Sequence, residues 1–261
     1  MLTSNPFAEL SASIPPIAMQ IYVIVMILLV VGGTLFDVLH KRSAEYFFNN
    51  WRRAKEKGNQ KVGSATMVSL AVQTAVMEGM TSAEFCNPKR RVAHLLTMYG
   101  FLAYVITTFI MVFWYSTPET PTPVLWPLLW TLGALSVCAG GYWFWFFIRV
   151  DVASEGNSPF RVVQADLFIL SLLGSVTFGL IWALLQVTGA PGAGLFLGLY
   201  LIATTILFGS VPWSKFSHMF FKPAAALQKR VENASGSRSN LPGPADKPEV
   251  FGSARRQPQH Y

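Results

Sequence analysis

Apolar residues along this chain gather into long unbroken runs, and polar residues gather between them. Five runs stand out, at roughly 17–36, 92–115, 124–148, 167–187 and 194–211. Each approaches the ~20 residues that a helix rising 1.5 Å per residue needs to cross a ~30 Å hydrocarbon layer. The runs are apolar on all sides rather than along one stripe, as helices without a water-facing surface are. The pattern predicts an all-α membrane protein, a bundle of five transmembrane helices. The first run follows Pro15 and Pro16, has no basic residue before it and no small-residue cleavage site before Asp37. It reads as a retained helix and not as a signal peptide.

The segments between the runs differ sharply in length. "STPETPTP" and "TGAPGA" are short turns rich in Pro and Gly, with no room for a folded domain. Residues 37–91 are longer and begin "DVLHKRSAEYFFNNWRRAKEKGNQK", a basic stretch in which Tyr46, Phe47, Phe48 and Trp51 cluster. That composition suits a helix lying in the membrane interface. The following "VGSATMVSLAVQTAVMEGM" is apolar but interrupted by Ser, Thr, Gln and Glu, and reads as an amphipathic or docking helix. Residues 149–166 form a loop, and 212–231 continue the last run into a helix end. Residues 232–261, rich in Ser, Pro and Gly, are expected to be disordered.

Composition supports the membrane reading. Of 261 residues, 52% are hydrophobic and 13% charged, about half the charge of ordinary soluble domains. The net charge of +7 would suit nucleic acid or an anionic membrane surface, and the placement of the cations decides between them. Of the 20 Lys and Arg residues, ten lie in 37–91, two (Arg149 and Arg161) after the third run, and eight from Lys215 onward. None lies in 1–16, 116–123 or 188–193. Basic residues accumulate on the cytoplasmic side, which predicts an outside N-terminus and an inside C-terminus. The positive charge is thus explained by topology, without nucleic acid. The expected location is the bacterial inner membrane, with multiple passes.

Motifs that would carry chemistry are few. The sequence has no Walker loop, no GxGxxG, no HExxH and no CxxC, which excludes a cluster held by this chain alone and a thioether-linked haem. Cys86 and Cys138 fall at different depths and predict no disulfide. Gly140 and Gly141 read as a close helix contact. Histidine is more informative. His94 opens the second run, His218 follows the fifth, and both are placed at the cytoplasmic end. Two neutral imidazoles from different helices at one depth could ligate a b-type haem. From the residues alone, each is more often an ordinary amphipathic interface residue.

Two stretches carry a family resemblance. "HLLTMYGF" opening a helix and "PWSKFSHMFF" closing the last one resemble the respiratory nitrate reductase gamma-subunit family of membrane cytochromes b. "CNPKRRVAHLLTMYGF", "GGYWFWFFIRVDVASEGNSPFRVVQADLFILSLL" and "FDVLHKRSAEYFF" look closest, within that group, to the membrane anchors of dissimilatory adenylylsulfate reductase in sulfur oxidation. The family pattern uses four histidines for two haems. Here the inner pair matches His94 and His218, whereas the outer positions hold Tyr104 and Tyr200. The resemblance therefore implies one haem b, with Lys89, Arg90 and Arg91 near its propionates or a docking partner. His40, Arg149 and Asp166 are weak candidates for the vicinity of a quinone. The implied function is a membrane anchor passing electrons from a soluble cytoplasmic flavin and iron–sulfur reductase to the quinone pool, without catalysis of its own. A haem-free structural anchor, the cytochrome b subunit of a heterodisulfide-reductase-like or nitrate-reductase-like complex, and a small transporter are the alternatives.

Overall fold

The computed structural model describes residues 3–40, 42–82, 87–149, 162–163, 166–213 and 218–237. Among them the chain is all-helical, without a strand. It divides into two compact units, residues 1–35 with 92–216, and residues 36–91 with 217–261.

Short helix α1 (Pro6–Leu10) opens the first unit, capped by Asn5, whose side chain accepts from the Phe7 and Ala8 amides. The same Asn5 donates through Nδ2 to the Tyr115 carbonyl at 2.7 Å and to Thr122 Oγ1 at 3.1 Å. One side chain thus starts a helix and ties it to the turn around 116–123. The long helices follow: α2 (Pro16–His40), α5 (Pro88–Trp114), α6 (Leu125–Trp143, prolonged by a π-helical turn Phe144–Ile148) and α7 (Leu167–Thr188). These four are long and apolar enough to cross a membrane. The fifth apolar helix, α8 (Ala193–Gly209), has 17 residues, about 26 Å at 1.5 Å each. Gly189 ends α7 at φ 65°, with its amide bonding back to the Gln186 and Leu185 carbonyls. A left-handed residue at that position is what a helix C-terminus favours, and here it turns the chain toward α8.

Close approach holds α5 against α6. A Cβ on Gly100 would lie 2.7 Å from the Gly133 carbonyl oxygen, and one on Gly133 would lie 2.8 Å from that of Gly100. Small residues let helix backbones meet where lipid supplies no hydrophobic drive between them. Polar pairs reinforce the seam: Trp130 Nε1 donates to Thr108 Oγ1 at 2.9 Å, and Ser136 Oγ to the Leu96 carbonyl at 3.0 Å. The core of the unit is aromatic, with Phe7 against Trp130 and Trp182.

The second unit contains α3 (Ser43–Glu56), α4 (Ser64–Thr74, running into a π-helical segment Ala75–Met80) and α9 (His218–Ser235). On α3, Ala54 is buried and Phe47 and Trp51 are half-buried, whereas Tyr46 and Phe48 are exposed. The aromatic cluster is therefore split between two faces, and α3 packs on α9. Helix α9 continues to Ser235, four residues beyond the point where composition places the start of the tail. Glu232 is buried there beside Gln228, whose Nε2 donates to Glu232 Oε1 at 3.2 Å. The Asn59 and Gln60 amides cap the end of α9 by donating to the Ser235 carbonyl.

Candidate functional site

Most residues that the sequence singles out can be placed. The His218 backbone starts α9, but its imidazole lies outside the described residues, as do Cys86 and Arg161. His94 is half-buried in the early turns of α5. The described residues therefore neither make nor break the expected ligand pair. No group of three or more His, Cys, Asp or Glu that could hold a metal occurs among the described residues.

Within the second unit, His40 is exposed at the end of α2 and stacks on Phe36, ring centroids 5.2 Å apart and nearly parallel. Lys89 is exposed, and its amide is held by Asn87 Oδ1 at 2.9 Å, which starts α5. Arg91 Nε donates to the Thr81 carbonyl at 2.8 Å. That guanidinium closes the end of the segment following α4.

Arg149 and Asp166 come together in the first unit. Arg149 Nε reaches Asp166 Oδ1 at 3.2 Å, and Nη2 pairs with the second oxygen, a two-point ion pair. The guanidinium also sits 4.2 Å from the centre of the Trp145 ring, and Asp166 Oδ2 accepts from the Val163 amide at 2.9 Å. Both side chains are largely buried, 15% and 12% exposed. A planar guanidinium matched to a carboxylate is the strong form of ion pair, and here it clamps the end of α6 to the start of α7.

Tyr104 on α5 and Tyr200 on α8 also come together, which their separation in sequence did not require. Both are buried, and they meet over Gly179 of α7. A Cβ there would lie 2.7 Å from Tyr104 Oη and 3.3 Å from the Tyr200 ring. Tyr104 stacks on Trp130 at 5.0 Å, and Tyr200 on Trp182 at 5.7 Å. Neither Gly179 nor Trp182 carries a signal that sequence reading could have used.

Both tyrosines line a cavity of about 490 Å³. Its walls come from α1, α2, α5, α7 and α8, and they are almost wholly apolar, with Phe7, Met19, Val23, Phe101, Leu197 and Phe208 prominent. The volume is that of a small-molecule site. Chemically it suits an apolar guest. A multiply charged carboxylate would lose its hydration there without a cation to replace it, at a cost of several kcal/mol per charge.

Comparison with known proteins adds a family. A family model described as Citrate utilization protein B matches residues 24–239. A curated relative of that name from Escherichia coli is 25% identical over 158 residues, 59% of this chain and 41% of the relative. The chain thus spans well under two thirds of that relative's length. No solved structure matches. These matches overturn the resemblance to nitrate reductase gamma subunits and to adenylylsulfate reductase anchors. The function drawn from it falls too: an electron-transferring cytochrome b anchor in sulfur oxidation. The reason is physical. "HLLTMYGF" and "PWSKFSHMFF" consist of a histidine and aromatics at a helix end, a composition that membrane interfaces favour in unrelated proteins. Nothing in them has a spacing that only one chemistry demands.

Proposed function

We propose, from the premise that the chain belongs to the citrate utilization protein B family, that it is the membrane-embedded component of a system for using citrate. The match over residues 24–239, which takes in α2 from residue 24 onward and the whole of the other long apolar helices, carries this reading. The chain's own part is that of a fixed membrane component that engages a soluble partner. It is not the route by which citrate crosses. Supporting this, the Lys and Arg side chains among the described residues of the first unit reduce to Arg149, which is already matched to Asp166. A trianion crossing the bundle would need cations along its path.

Basic side chains concentrate instead in the second unit, where Arg52, Arg53, Lys55, Lys57 and Lys61 are exposed. An acidic face on a soluble protein is the complementary surface. The proposed topology has five spans, with α8 crossing despite its 17 residues, the N-terminus outside and the C-terminus inside, following the placement of basic residues. Two measurements test this. Reporter fusions in 116–123 and after Thr188 should report outside, and fusions after Arg53 inside. Proteoliposomes holding the purified chain alone should take up labelled citrate no faster than empty liposomes. Citrate uptake that depends on the chain would overturn the proposed role.

A further inference from the structure

The cavity beside Tyr104 has features that narrow its guest. Along α2 its lining runs from Ala18 to Val31, 13 steps of 1.5 Å, so it is about 20 Å long and parallel to the helix. Three of its lining residues, Ile27, Val31 and Val105, are 45%, 50% and 37% exposed. The cavity is therefore rimmed by apolar side chains on α2 and α5, on helices suited to lipid contact, and a guest would enter from the bilayer. Most polar groups in its wall are already committed. Tyr22 Oη donates to the Leu201 carbonyl at 3.0 Å, Thr108 Oγ1 to the Tyr104 carbonyl at 2.7 Å, and Ser175 pairs with Thr204 at 2.8 Å. Tyr104 Oη differs: it is buried and makes no hydrogen bond of ordinary geometry among the described residues, although the Tyr200 and Ser175 hydroxyls lie beside it. A buried hydroxyl without a hydrogen bond is unfavourable, and a guest with an acceptor oxygen would satisfy it.

We infer that this cavity binds one molecule from the membrane, with a long hydrocarbon body and a carbonyl oxygen that accepts from Tyr104 Oη. The body fills the slot along α2, and the single polar contact fixes its depth. Acyl lipids and prenyl-tailed ring ketones share this chemistry, and the mass of the bound molecule tells them apart. The site is independent of the citrate assignment, because it is defined by shape and one donor within the first unit.

The test is retention of a bound lipophile by the full chain purified in detergent. After extensive detergent exchange, native mass spectrometry should show one adduct per chain. Organic extraction then gives its mass and class. Val23→Trp, which fills the slot from α2, should abolish the adduct. Leu197→Trp, filling it from α8, repeats the test should the first variant fail to fold. Tyr104→Phe should keep the fold and release the guest about tenfold faster, the effect of losing one hydrogen bond. Leu28→Trp, exposed on α2 and outside the cavity, should change nothing. Absence of any adduct, or an adduct that persists in both filling variants as surface lipid would, overturns the proposal. An adduct without a carbonyl, or a Tyr104→Phe release rate equal to that of the unaltered chain, overturns the role given to Tyr104.

Discussion

Replacing Gly100 by alanine should destabilise the α5–α6 seam, whereas the same change at Gly198 should not. The new Cβ at position 100 would sit 2.7 Å from the Gly133 carbonyl oxygen and 2.9 Å from the Val137 amide nitrogen. Both are backbone atoms of α6, so no rotamer change relieves the clash and the helices must separate. Overpacking of this kind costs about 1–3 kcal/mol. Alanine regains about 1 kcal/mol of helix propensity over glycine, so the net loss lies near 0–2 kcal/mol, with Gly100→Val well beyond it. At Gly198, in the middle of α8, nothing lies within 4 Å of the added Cβ, and the propensity gain stands alone. Thermal unfolding in one detergent, followed by tryptophan fluorescence, compares the variants directly. At roughly 2–4 °C per kcal/mol for a chain of this size, Gly198→Ala should melt a few degrees above Gly100→Ala, and Gly100→Val should melt lowest. If Gly100→Val melts with the unaltered chain, the close approach of α5 and α6 is wrong.

Other outcomes follow from single contacts. Arg149→Met should cost about 3 kcal/mol, because it leaves the Asp166 carboxylate largely buried without its cation, and Asp166→Leu added to it should restore much of the loss. Equal losses in the single and double variants, read by a double-mutant cycle in the same melt, would contradict the pairing. Asn5→Ala should cost about 1–2 kcal/mol, since it removes both the α1 cap and the tie to Tyr115. Its signature is faster proteolysis ahead of α2, with the long helices left intact.

The four helices long and apolar enough to cross a membrane were legible because about twenty apolar residues in a row match the thickness of a bilayer and rarely occur in helices that face water. The helix over Ser64–Met80 was legible as an apolar stretch interrupted by Ser, Thr, Gln and Glu. The shorter α8 was legible as an apolar run, but 17 helical residues leave crossing a proposal. The ion pair was half visible. Arg149 and Asp166 drew attention only as weak candidates for the vicinity of a quinone, and their partnership depends on how α6 and α7 turn at their ends. Tyr104 and Tyr200 drew attention through a resemblance that proved wrong, and they do share a wall. The cavity itself was invisible. It needs five helices, Gly179 to let Tyr104 approach and Trp182 to back Tyr200, and none of these relations is written in any local pattern. The start of the tail was misplaced for a similar reason: "VENAS" looks like a solvated stretch until Glu232 is seen buried on α9.

We propose that this membrane chain is required for the use of citrate. Growth of the host lacking this chain, on citrate as the sole carbon source, tests it most directly. The deletion strain should fail on citrate, grow normally on a sugar, and recover when the intact chain is supplied from a plasmid. Growth on citrate at the unaltered rate without the chain would contradict the account.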